Sequence, residues 1–126
     1  MAQRLYLRVL TPMERKTSLV GSVLSQRRFH GVDLSDSVFE NALCDGIIFD
    51  EVNLQRAAFN GACLRYSRFV RCDLSGAQFC DADVASANFL DCIGLSEALR
   101  DLLVKHGAFV CAGVAVSAAS MPQQSV

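Results

Sequence analysis

Every fifth residue from Phe29 to Phe89 is apolar. The series runs Phe29, Leu34, Phe39, Cys44, Phe49, Leu54, Phe59, Leu64, Phe69, Leu74, Phe79, Val84, Phe89. We call this position i. Two residues earlier, at i−2, stand small or apolar residues from Val32, Ser37, Ala42 and Ile47 through to Ala87. Upstream, 17–21 and 22–26 fit the same frame, which therefore spans fifteen units over 17–91. Charge tests the frame independently. Residues 32–91 hold twenty-four i and i−2 positions without a charge, and all fourteen charges fall elsewhere. Burying an unpaired charge is costly, so i and i−2 are expected to point inward. Neither the helical period of 3.6 nor the strand period of 2 produces a strict five. Gly21, Gly31, Gly46, Gly61 and Gly76 all sit at i+2, where a turn with positive φ is expected.

The units CDLSG, AQFCD, ADVAS and ANFLD of residues 72–91 resemble the A-(D/N)-(L/F)-x-x pattern of the pentapeptide-repeat family. The resemblance implies an all-β solenoid, a right-handed quadrilateral β-helix with four units, or twenty residues, per coil. Residues 17–91 then make nearly four coils, roughly 18 Å tall at ~4.8 Å per rung. Residue n should stack on n+20. Phe29, Phe49, Phe69 and Phe89 form one ladder, and Phe39, Phe59 and Phe79 the opposite one. Leu34, Leu54 and Leu74 fill a third face. Leu24, Cys44, Leu64 and Val84 fill the fourth. The same rule pairs Asp36 with Arg56 and Asp45 with Arg65, and stacks Glu51, Arg71 and Asp91.

An open β-helix end leaves backbone groups unpaired and needs a cap. The repeat fails at Gly94, and 95–106 (LSEALRDLLVKH) reads as an amphipathic helix with Ser96 as N-cap and Gly107 just past its end. Leu95, Leu99, Leu102 and Leu103 are expected to form its buried stripe. A helix placed here also resembles the terminal cap of many bacterial pentapeptide proteins. The expected organisation is an N-terminal segment or cap over 1–16, the β-helix over 17–93 and a capping helix over 94–107. A C-terminal strand and disordered tail follow over 108–126, the strand within 108–115 and the disorder from Val116. Tyr6–Leu10 reads as a short strand over the first coil.

Length suits one domain of 126 residues, and the net charge of −1 favours neither nucleic acid nor a membrane. The charge is uneven, +5 over residues 1–30 and −6 over 31–91. No apolar run approaches ~18 residues, and Arg4 and Arg8 interrupt any signal-peptide core, so a cytoplasmic protein is expected. Six cysteines in that setting are expected to be free thiols. Cys44, Cys72 and Cys92 should face inward, Cys63 and Cys80 outward.

No CxxC, P-loop, GxGxxG or GxSxG motif is present. His30 and His106 are the histidines, read as an exposed residue and a helix-end residue. The sequence therefore points to no catalytic residue, no cofactor and no metal site, and to a protein-binding or scaffolding rod. Its partner is a protein of unknown identity, and a homodimer fits the reading. The candidate interaction surface joins the apolar Val38, Leu43 and Ile48, at the outward position i−1, to Asp45, Asp50 and Glu51; the apolar three mark the footprint of a terminal segment or a partner contact. These acids belong to a run, with Asp33, Asp36 and Glu40, that no base interrupts. The family resemblance implies an alternative, a mimic of duplex DNA that binds DNA gyrase and protects it from quinolones.

Overall fold

The structure, a computed structural model, describes residues 18–111. The expected strand Tyr6–Leu10, the whole N-terminal segment 1–16, the end of the expected strand region beyond Cys111 and the tail from Val116 lie outside the described residues.

Each repeat unit bends at a left-handed residue. At i+2, φ lies between +51° and +74° in every unit from Gly21 to Asp91, whether the residue is glycine or not. On three corners of the square this closes a type II turn, in which the N–H three residues on donates to the carbonyl at i. Ser22 donates to Leu19 (3.1 Å), Arg27 to Leu24 (3.2 Å) and Ser37 to Leu34 (3.2 Å). The fourth face carries three-residue strands instead: β1 (Arg28–His30), β2 (Ile48–Asp50), β3 (Arg68–Val70) and β4 (Asn88–Leu90). These pair in parallel, with Phe29 on Phe49, Phe49 on Phe69 and Phe69 on Phe89. The other faces keep the same twenty-residue offset through single bridges, as in Val23, Leu43, Cys63 and Asp83. The result is a right-handed quadrilateral β-helix of about four coils with a C-terminal capping helix.

Every residue at i from Leu19 to Phe89 is buried. The phenylalanines stack within each ladder and meet edge-on across the core. Phe39 lies 4.7 Å from Phe59 at 7°, and Phe69 lies 4.6 Å from Phe89 at 7°. Phe49 meets Phe59 at 6.0 Å and 71°. Offset-stacked and edge-on contacts are the favourable ones, because the ring face is negative and its edge positive. The i−2 positions are less uniform. Val32 is half-buried, and in the first coil the position is held by Arg27, whose buried Nε has no hydrogen-bond partner. The buried hydroxyl of Ser67 is also unpartnered.

The repeat ends at Gly94 for a steric reason. Its φ is +85°, and a Cβ there would stand 2.7 Å from the Cα of Ser75 in the coil below. Helix α1 follows at Glu97–Lys105, with Ser96 Oγ accepting from the Leu99 N–H (3.1 Å). Glu97 in the first turn and Lys105 in the last complement the helix dipole. Gly107, at φ +98°, turns the chain into β5 (Phe109–Cys111), which pairs with β4 as a further rung. The offset there is twenty-one residues, Phe89 facing Val110.

One element of the expected helix stripe is corrected. Leu103 is buried, and Leu95 and Leu99 are half-buried against the core, but Leu102 is 40% exposed. Leu95, Leu99 and Leu103 repeat at four-residue spacing and follow one face, from which Leu102 is turned by about 100° relative to Leu103.

Two outcomes follow from this packing. Phe69 touches four other rings and Phe89 two. Phe69→Ala should cost ~3–5 kcal/mol in denaturant melts and Phe89→Ala less; equal losses would contradict the ladder. Leu103→Asp should uncover the last coil and cause end-to-end association, whereas Leu102→Asp should keep the wild-type mass in light scattering.

Candidate interaction surface

Successive units lie on successive faces of the square, so residues five apart in sequence do not share a plane. Val38, Leu43 and Ile48 stand on three consecutive faces of one coil, a belt rather than a patch. Leu43 is 46% exposed, while Val38 and Ile48 are half-buried. Tyr66, Ile93, Leu102, Val104 and Phe109 are exposed elsewhere, while Leu43 continues an exposed apolar column downward. Val23, its bridge partner one coil down, is 65% exposed, and Val20 is 54% exposed. Half-buried Cys63 continues the column above. The coil offset applied to Leu43 would have found Val23 in the sequence.

The acidic run is spread in the same way. Asp33, Asp36, Glu40, Asp45, Asp50 and Glu51 occupy most of one twenty-residue coil, so they wrap around the rod. Several are paired. Asp36 receives Arg56 through both oxygens, at 2.8 and 3.0 Å, as the stacking rule expected. Asp45 is a correction. It accepts from Ser25 Oγ at 2.5 Å, and Arg65 reaches up to Asp83 at 3.3 Å. The stack of three is corrected too. Arg71 bonds downward to Glu51 (3.2 Å) and to Asp50 (2.9 Å), and Asp91 adds only a longer-range attraction. The hydrogen bonds these guanidiniums donate to the acids raise the pKa of Arg56, Arg65 and Arg71 above the usual value.

Asp50 is more enclosed than Asp36 or Glu51. Its side chain is 13% exposed, with His30 Nδ1 at 3.4 Å, Arg28 at 3.7 Å and Arg71 at 2.9 Å. Glu51 stands 3.9 Å from His30 Nε2. His106 ends α1 and borders, with Phe79, Cys80 and Leu103, a hollow of about 200 Å³.

The D/N position of the repeat has a local structural task. Asp33 Oδ1 accepts the N–H and hydroxyl of Ser35, Asn53 Oδ1 the N–H of Gln55, and Asp73 Oδ1 the N–H and hydroxyl of Ser75. Partial burial pushes the Asp73 pKa up, but the Ser75 bonds, the Gln55 amide (2.6 Å) and Arg56 together hold it below the usual carboxylate value.

All six cysteines are free. Burial pushes the Cys44 thiol up to about 12. The hydrogen bond shared with Cys72, and burial, also raise Cys92. Both are therefore poor nucleophiles at neutral pH.

Among the described residues no helix is long and apolar enough to cross a membrane. A family model for pentapeptide repeats matches residues 28–65 and 64–93, with eight copies. No curated protein matches the chain in sequence. Among solved structures, the chain is similar to a pentapeptide-repeat protein from the Arabidopsis thaliana thylakoid lumen. That likeness has 20% identity and a TM-score of 0.40, and covers 82% of this chain and 88% of the other. It is also similar to a pentapeptide-repeat protein from Nostoc PCC 7120. Here identity is 20% and the TM-score 0.34, over 86% of this chain and 94% of the other.

Asp73 gives a pH prediction. A carboxylate with a depressed folded pKa adds stability above its unfolded value, near 3.8, and loses it as pH falls through the folded value. Asp73→Asn keeps an Oδ1 acceptor, as Asn53 does, but cannot titrate. The wild type should be the more stable at pH 7, and the gap in melting temperature should close on acidification below about pH 4. A gap independent of pH would remove Asp73 from the acid response.

Proposed function

The chain belongs to the pentapeptide-repeat family, and we propose that it serves as a non-enzymatic protein-binding rod. One observation carries the reading: the exposed apolar column of Val23 and Leu43 on a face built from stacked turns, with exposed Val20 in the preceding unit, one coil below Glu40. A solenoid presents such faces rigidly, because each coil is fixed by the one below it. The titratable groups of this face are tied into ion pairs or turn hydrogen bonds, or stand alone in solvent, and none forms a nucleophile–base pair. A cytoplasmic location belongs to the same proposal and fits free thiols.

The gyrase-mimic alternative asks for a continuous acidic face comparable to a duplex. Here the acids encircle one coil, and Arg56, Arg65 and Arg71 alternate with them. That arrangement favours the protein-binding reading.

The experiment compares wild-type protein with Val23→Ser/Leu43→Ser in pull-downs from host lysate, with gyrase probed directly. Both residues are exposed, so the melting temperature should hold while the captured protein is lost. Supercoiling by gyrase should be unaffected by the wild type and by Arg56→Gln/Arg65→Gln. Inhibition that rises in the arginine variant and weakens with salt would replace this reading with the mimic.

A further inference from the structure

We propose that His30, Asp50 and Glu51 form a binding site for one divalent transition-metal ion of the zinc class. The three residues are brought together by the coil, not by sequence. His30 and Asp50 are register partners on β1 and β2, and Glu51 follows at the left-handed corner with φ +57°. One ligand atom from each lies within 4.8 Å of the others.

The geometry fits a small ion. His30 Nδ1 and Asp50 Oδ2 are 3.4 Å apart. Two donors each ~2.0–2.1 Å from a tetrahedral zinc ion stand ~3.4 Å from one another. Glu51 Oε1 lies toward the other ring nitrogen, 3.9 Å from Nε2. An imidazole gives one nitrogen to one metal, so Glu51 must rotate toward Nδ1, and its half-exposed side chain has the room.

Arg71 prepares the carboxylates. It takes Oδ1 of Asp50 and Oε2 of Glu51, and leaves Oδ2 and Oε1 facing His30. Tying one oxygen of each carboxylate in this way is how an outer shell orients metal ligands. Arg28, 3.7 Å from Oδ2, is the competing cation; its mostly exposed side chain can turn to solvent. Two carboxylates supply two negative charges, of which the Arg71 guanidinium offsets one, and a neutral imidazole adds a nitrogen donor. The nitrogen donor selects zinc-like metals over magnesium or calcium, which take oxygen ligands. The remaining coordination positions open to solvent. This site is independent of the Val23–Leu43 column, and either can fail alone.

The test is a zinc titration of the full chain by calorimetry, repeated on His30→Ala, Glu51→Gln and Cys80→Ser/Cys111→Ser. The cysteine variant removes the exposed thiols, which also bind zinc. The expected result is saturable one-to-one binding, kept in the cysteine variant, resistant to excess magnesium and weakened at least ~10-fold by His30→Ala, the lower end of what even outer-shell changes cost. His30 is 61% exposed, so His30→Ala should retain the wild-type melting curve without metal. Absence of saturable binding, binding unchanged in His30→Ala, or binding lost in the cysteine variant would each overturn the site and leave His30 as a surface ion-pair partner.

Discussion

Each coil hangs from the next by main-chain hydrogen bonds that do not slip. Leu34 N–H donates to Asn53 O at 2.8 Å, and Asn53 N–H donates back to Val32 O at 3.1 Å; the pattern repeats on all four faces. This ladder fixes residue n over n+20, and every other feature inherits that spacing. The phenylalanine stacks exist because equal rings fall one above another on successive rungs. The turn residues align in columns, which lets left-handed conformations at Tyr66 or Arg71 persist where an isolated non-glycine residue would be strained.

The ladder also explains why the repeat tolerates so much variation outside i and i−2. Where position i−1 is Asp or Asn, as at Asp33, Asn53, Asp73 and Asp83, its Oδ1 accepts the N–H two residues on, so either residue serves. Position i+1 points outward and upward. The shorter Ser25 reaches Asp45 twenty residues on, while Gln55 reaches Asp73, Asn60 reaches Gln78 and Arg65 reaches Asp83, each eighteen residues on. These diagonal bonds cross from one coil to the next and add to the resistance against a register shift.

The strand face differs from the other three. Its extended backbone replaces the hydrogen-bonded turn, and its outward side chains carry Arg28, His30 and Asp50 with Glu51 and Arg71 at the adjoining corner. Opposite charges gather there because the corner is shared by neighbouring rungs, and the carboxylate of Asp50 is the only group of the five that is largely shielded from water.

The sequence by itself determined what points inward. Period five, the absence of charge at i and i−2 over 32–91 and glycine at i+2 mark the inward positions and the bends, because the cost of burying charge acts identically in every unit, while four units per coil is what the resemblance to the pentapeptide-repeat family implies. The ladders Phe29–Phe89 and Phe39–Phe79, and the Asp36–Arg56 pair, were legible for that reason. Tertiary structure alone decided the rest. Arg65 has several acids in reach, and the claim of Ser25 on Asp45 is invisible until coils are stacked. Leu102 and Leu103 differ by a rotation about the helix axis, set by how α1 lies on the last coil. The acidic run reads as one cluster in sequence and becomes a girdle in space, while His30 and Asp50, twenty residues apart, become neighbours. A linear string carries the period, but which long side chain meets which depends on the height and face that the coil assigns to each.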